Sequence, residues 1–184
     1  MKQVLILGDS ISMGYREIVK QNLKGKADVC YYPENGRFSG YTLWLANQWI
    51  RNNGAPDIVH WNNGIWDISL EEPLEGNFTP IEEYADHLER IIKLLKRAGT
   101  EHIIFATTTY QHPDKKENRP EDVERYNQRA VEIMARENIT VNDLGTLVRN
   151  HLTEYVCEDM VHLTGAGYQA CAEQTTKYIM QCLV

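Results

Sequence analysis

Short apolar runs alternate with longer stretches of helical periodicity along this chain, and that alternation limits its fold more than any other feature. Val4–Leu7 are four consecutive apolar residues ending at Gly8, the pattern of a strand covered on both faces. Ile11–Leu23 then carries Ile18, Val19 and Leu23 at helical spacing. Ala27–Tyr32 reads as a second strand stopped by Pro33, Tyr41–Ile50 as a helix, and "PDIVHW" as a third strand. Thr79-Pro80 marks the clearest helix, with Thr79 as N-cap and proline at the first helical position. It runs to Ala98, ends at Gly99, and aligns Leu88, Ile91, Ile92 and Leu95 on one stripe. "HIIFATT" makes a fourth strand, followed by a polar loop from Tyr110 to about Arg119. A helix over roughly Pro120–Asn138, a short fifth strand at "ITVND" and a final helix from about Gly165 complete the chain. The pattern requires an α/β fold, a parallel sheet with helices on both faces. Ligands bind such sheets outside the carboxyl ends of the strands, where "GDS", "PENGRFSG", "NNGIWD" and "TTTYQHPD" fall.

Composition narrows the function classes. The 184 residues suit one domain over 1–184, burying roughly 70% of the unfolded surface. The net charge is −7, and the only basic cluster is the short "DKKENR", so no nucleic-acid partner is expected. No apolar run reaches membrane-spanning length, and the N-terminus has no tripartite leader, which points to a cytoplasmic location and no membrane partner. Cys30, Cys157, Cys171 and Cys182 form no CxxC pair and read as reduced thiols. Scattered histidines, with no HxH or HExxH, predict no metal, and the absence of GxGxxG or a P-loop predicts no cofactor.

Two segments could carry chemistry. Ser10 follows the first strand directly within "VLILGDSISMGY", where it is either a helix N-cap, a role Ser12 also fits, or a nucleophile. Asp159 and His162 stand three apart in "EDMVHLTGAGY", so both side chains can face one way on a tight turn. They are either a cap and a loop residue, or the acid and base of a Ser-His-Asp system.

Taken together, "ILGDSISMGY" and "DMVHLTGAGY" resemble the first and last blocks of the SGNH, or GDSL, family of serine esterases and acylhydrolases. The resemblance implies a three-layer α/β/α sandwich, flavodoxin-like, around a five-stranded parallel sheet. It makes Ser10 the nucleophile, His162 the base and then acid, and Asp159 its orienter. Asp9, although adjacent, is not the triad acid. The family holds the oxyanion with the nucleophile's own N–H, a glycine N–H and an asparagine side chain. Matching "NGRFSGYT" assigns Ser10 and Gly40, with Gly36 as the alternative. The third block departs from Gly-x-Asn-Asp: in "HWNNGIWD", Trp66 stands in the asparagine's place. Asn63 is the assigned amide, with Asn62 and Trp66 as alternatives.

Trp66 is expected to stack on substrate, whereas Trp44, Trp49 and Trp61 are expected in the core. Tyr110 and His112 form either a substrate-side wall or plain surface. The expected activity is hydrolysis of short acyl esters, acetyl above all, of a carbohydrate or similar polar alcohol, through an acyl-enzyme. A glycan or small-molecule ester is therefore the expected partner, and activity should rise as His162 loses its proton. The alternative is a non-catalytic carbohydrate-binding relic whose oxyanion pocket Trp66 fills.

Overall fold

A computed structural model describes residues 1–115, 117 and 119–184. The expected basic stretch Asp114–Arg119 therefore includes two residues, Lys116 and Asn118, that lie outside the described ones. Five strands, β1 (Gln3–Leu7), β2 (Asp28–Tyr31), β3 (Ile58–Asn62), β4 (His102–Ala106) and β5 (Thr140–Asn142), form one parallel sheet in the order β2-β1-β3-β4-β5. Every neighbouring pair is parallel, with Leu7 opposite Trp61 and Asn62 opposite Ala106. The switch in strand order falls at β1, so the crevice opens beside the carboxyl ends of β1 and its neighbours.

Alternating side chains feed two cores. Leu5, Leu7, Val59, Trp61, Ile103 and Phe105 face α2 (Ser39–Asn53), α3 (Ile81–Ala98) and α4 (Pro120–Glu137). Val4, Ile6, Ile58, Ile104 and Ala106 face α1 (Ser10–Asn22) and the C-terminal helix. Helices on both faces make a three-layer α/β/α sandwich, as expected. At about 25 cal/mol per Å² of apolar surface removed from water, each wholly buried Leu or Ile here contributes about 2 kcal/mol.

The boundaries differ from expectation where capping decides them. Asp9, not Ser10 or Ser12, caps α1, its carboxylate accepting from the Ile11 N–H at 3.0 Å. Ser10 is thereby the first helical residue, and the Ser12 hydroxyl donates to the Asp9 carbonyl. Pro80, not Thr79, occupies the cap position of α3, because Thr79 is buried and tied to Asp67 through its own N–H. Two short helices follow β5, α5 (Leu144–Arg149) and α6 (Leu152–Tyr155), before α7 (Gly165–Gln181). They are too brief for periodicity to reveal.

Candidate active site

Gly8 sets up the site. The chain leaves β1 with φ 140° at Gly8, and a Cβ there would stand 2.0 Å from Asn62 Oδ1 and 2.8 Å from the Asn62 carbonyl. Only glycine lets the strand end pass this close to β3 and turn into α1. Asp9 locks the turn: besides Ile11, its Oδ1 accepts from Asn62 Nδ2 at 2.7 Å. Burial pushes the Asp9 carboxyl up to about 6, despite the opposing bonds from Asn62 and Ile11. Its other oxygen, Oδ2, has no partner among the described residues.

The turn presents Ser10, half-buried, to a loop 152 residues away. Ser10 Oγ lies 2.9 Å from His162 Nε2, and His162 Nδ1 lies 2.6 Å from Asp159 Oδ2. Asp159 Oδ1 accepts from the backbone N–H groups of Val161 and His162 at 3.0 and 2.9 Å, which orients the carboxylate. Partial desolvation opposes its charge. The two amides and the His162 ring outweigh that and hold the Asp159 carboxyl at about 2. An ionised carboxylate only accepts, so Nδ1 must carry the ring proton, leaving the Nε2 lone pair for the Ser10 hydroxyl. The loop itself is closed by a Val156–Leu163 bridge and by the Cys157 N–H donating to the His162 carbonyl at 2.7 Å.

The anticipated oxyanion residues are not all brought to this point. Gly40 sits in the first turn of α2 and lines a separate cavity with Trp44 and His87, because Asp67 ties the preceding Ser39 N–H down in the interior. Gly36, the alternative, packs against the Gly8 turn and donates its N–H to the Gly8 carbonyl at 2.7 Å. Asn63 is wholly buried, and its Nδ2 donates to Thr42 Oγ1 at 2.9 Å and to the Arg37 carbonyl at 3.2 Å. Thr42 Oγ1 already donates to the Gly36 carbonyl, so both Asn63 contacts need a donor and the amide orientation is determined. Asn62 is spent partly on Asp9. One residue passed over in the sequence does reach the Ser10 cavity: Asn35, whose Oδ1 accepts from the Arg37 N–H, so that its Nδ2 is the end left for other partners. Asparagine next to glycine in a turn was the available signal, but it reads equally as turn chemistry.

A nucleophile, a base and an orienting carboxylate in one hydrogen-bonded line can perform acyl transfer. The model for the GDSL-like Lipase/Acylhydrolase family matches residues 6–170. The chain belongs to that family. It is by family a carboxylic ester hydrolase. Solved structures similar in fold include the lipase/acylhydrolase from Enterococcus faecalis, at TM-score 0.80 and 21% identity over 98% of this chain and 96% of that one. The acetyl xylan esterase AlAXEase gives 0.76 and 18% over 96% and 99%. Axe2, an acetylxylan esterase from Geobacillus stearothermophilus, gives 0.74 and 18% over 97% and 94%. No curated protein matches the chain in sequence.

In this GDSL-family chain a cavity of about 340 Å³ opens beside Ser10 and His162, walled by Asn35, Trp66, Ser69 and Glu71. A Lys115–Glu117 ion pair of 3.2 Å stands at its edge. Trp66 is 37% exposed, as a stacking platform requires. Trp61 is fully buried and Trp49 partly so, but Trp44 is 49% exposed, contrary to its expected place in the core. The reason is its position on the face of α2 opposite Leu45 and Ala46, which take the buried side. Tyr110 and His112 do not reach the Ser10 cavity. The Tyr110 hydroxyl donates to Glu124, while the His112 N–H supports the Asp159–His162 loop by donating to the Met160 carbonyl at 3.0 Å. All four cysteines are free thiols, and burial pushes Cys30 to about 11 and Cys171 to about 12. Among the described residues no group of three or more His, Cys, Asp or Glu could hold a metal, and no helix is long and apolar enough to cross a membrane.

Proposed function

We propose that the chain hydrolyses short acyl esters, acetyl above all, of a carbohydrate or similar polar alcohol through an acyl-enzyme on Ser10. The reading rests on one observation, the unbroken line from Ser10 Oγ through His162 to Asp159. His162 Nε2 takes the hydroxyl proton as Oγ attacks the ester carbonyl, and Asp159 stabilises the imidazolium that forms. The new oxyanion faces the N-terminus of α1. There the Ser10 N–H, as the first in the helix, has no partner within it, and the helix dipole favours negative charge. Asn35 Nδ2 is a second donor on the same cavity wall. His162 then protonates the departing alcohol, and a water repeats the sequence to release the acid.

The small cavity favours a short acyl group, and the Asn35, Ser69 and Glu71 side chains in its wall favour a hydroxylated alcohol beside Trp66. That two neighbours in fold are acetyl xylan esterases agrees with this preference. The test compares wild type with Ser10→Ala on p-nitrophenyl acetate, p-nitrophenyl decanoate and acetylated xylo-oligosaccharide. The wild type should cleave the two acetyl substrates and leave the decanoate nearly untouched, while Ser10→Ala should be inactive. Equal rates for the two proteins would remove Ser10 as nucleophile, and a decanoate preference would remove the short-acyl assignment.

A further inference from the structure

Outside the site already described, α2 and α3 enclose a second cavity of about 640 Å³ whose chemistry differs from the rest of the surface. From α2 it receives Gly40, Trp44 and Asn47, spaced i, i+4 and i+7; from α3 it receives His87, Arg90, Lys93 and Arg97, in steps of three, three and four along one side of the helix. The chain carries a net charge of −7, so converging cations here are not a general property of its surface. Arg90 is paired with Asp86 at 3.4 Å, and the nearby Glu89 is turned away onto Arg136. Neither Lys93 nor Arg97 has an ion-pair partner among the described residues. Arg97 suits the last turn of α3 through the helix dipole, but that does not account for Arg90 or Lys93.

The inner wall is built rather than incidental. Ser39 and Asp67 are wholly buried behind it, and Ser39 Oγ donates to Asp67 at 2.6 Å. With its only proton so committed, Ser39 must accept from His87 Nδ1 at 2.9 Å, which turns His87 Nε2 outward toward the cavity and Glu83. On the other wall Trp44 stacks on Tyr41, with ring centroids 5.6 Å apart and planes 18° apart, and Arg37 lies over Tyr41 at 5.1 Å. This ladder fixes one indole face and leaves Trp44 half-exposed. It also leads back to the Ser10 cavity: Asn35 lines that one and Gly40 this one, five residues apart, so at most about 18 Å of chain separates the two walls.

We infer that this groove binds a carboxylate-bearing oligosaccharide, a uronate-containing stretch of the same chain whose acyl ester enters the Ser10 cavity. A flat, half-exposed indole suits the apolar face of a sugar ring, and unpaired Lys93 and Arg97 suit its carboxylates. A polymer is indicated because the two cavities share the 35–40 strap. The choice of a sugar rests on the proposed function, but the binding itself is measurable without hydrolysis.

Titration calorimetry of the full chain with a non-acetylated oligogalacturonate, and with a neutral xylo-oligosaccharide of equal length, tests this. Oligogalacturonate should bind, weaken as salt is raised, and lose about fivefold or more in affinity in Lys93→Glu/Arg97→Glu and in Trp44→Ala. Both variants should keep wild-type rates on p-nitrophenyl acetate. No binding at millimolar ligand, equal binding of the neutral sugar, or affinity unchanged in the variants would overturn the groove. Uronate binding without any ester hydrolysis would instead remove the proposed function and leave the groove standing.

Discussion

Asp9 offers the most quantitative test of how the Ser10 turn is held. Its carboxyl is wholly buried, and desolvation raises it from 3.8 to about 6, while Oδ2 has no partner among the described residues to offset the charge. A carboxyl raised in the folded state binds its proton more tightly there than in the unfolded chain. Folding is therefore favoured below pH 3.8, loses stability as pH rises through the window from 3.8 to about 6, and carries the full penalty above it. A shift of that size, at 1.36 kcal/mol per pH unit, is about 3 kcal/mol. Asp9→Asn keeps the Oδ1 acceptor for Ile11 and Asn62 but cannot ionise. Any fixed cost of the new amide is present at every pH, so it appears as the offset between the two proteins near pH 4. Between about pH 4 and pH 8 the variant should gain about 2–3 kcal/mol on wild type, because at pH 4 the unfolded wild type is already partly ionised. For a chain of this size that is roughly 5–10 °C in Tm. Urea unfolding of both proteins across the pH range measures it. A stability difference that stays constant with pH would refute the reasoning, since it would mean that Asp9 titrates alike in the folded and unfolded states.

Two further outcomes follow from the geometry. Asp159→Asn preserves the backbone bonds to Val161 and His162 but removes the charge that fixes the His162 tautomer, so kcat on p-nitrophenyl acetate should fall about 10³–10⁴-fold with KM little changed. Gly8→Ala places a methyl 2.0 Å from Asn62 Oδ1 at a φ of 140°, and should cost about 3 kcal/mol or more in thermal or urea unfolding.

Much of this was legible in the residue order because the signals are local. Val4–Leu7 is a continuous apolar run, and Ile58–Trp61 is interrupted only by the buried His60, because strands covered on both faces have no solvent side to mark. The stripe of α3 from Leu88 to Leu95 announced itself for the converse reason, one face being wet. Ser10 and the Asp159–His162 pair each had an ordinary capping explanation, and only their joint occurrence at opposite ends of the chain pointed to acyl transfer. The short α5 and α6 helices, and the choice between Asp9 and Ser10 as cap, were not legible. They turn on single hydrogen bonds rather than on periodicity.

Sequence alone, then, determined a parallel α/β sheet with polar loops at its carboxyl edge, since hydrophobic periodicity is a property of neighbours along the chain. Tertiary structure decided which of those loops meet. It set His162 against Ser10 across 152 residues, tied both Asn63 protons to Thr42 and Arg37, and kept Gly40 from the cavity that Asn35 lines. It also turned Trp44 out of the core to face Lys93 and Arg97. Those outcomes depend on how helices pack across the sheet, and no spacing within one segment encodes them.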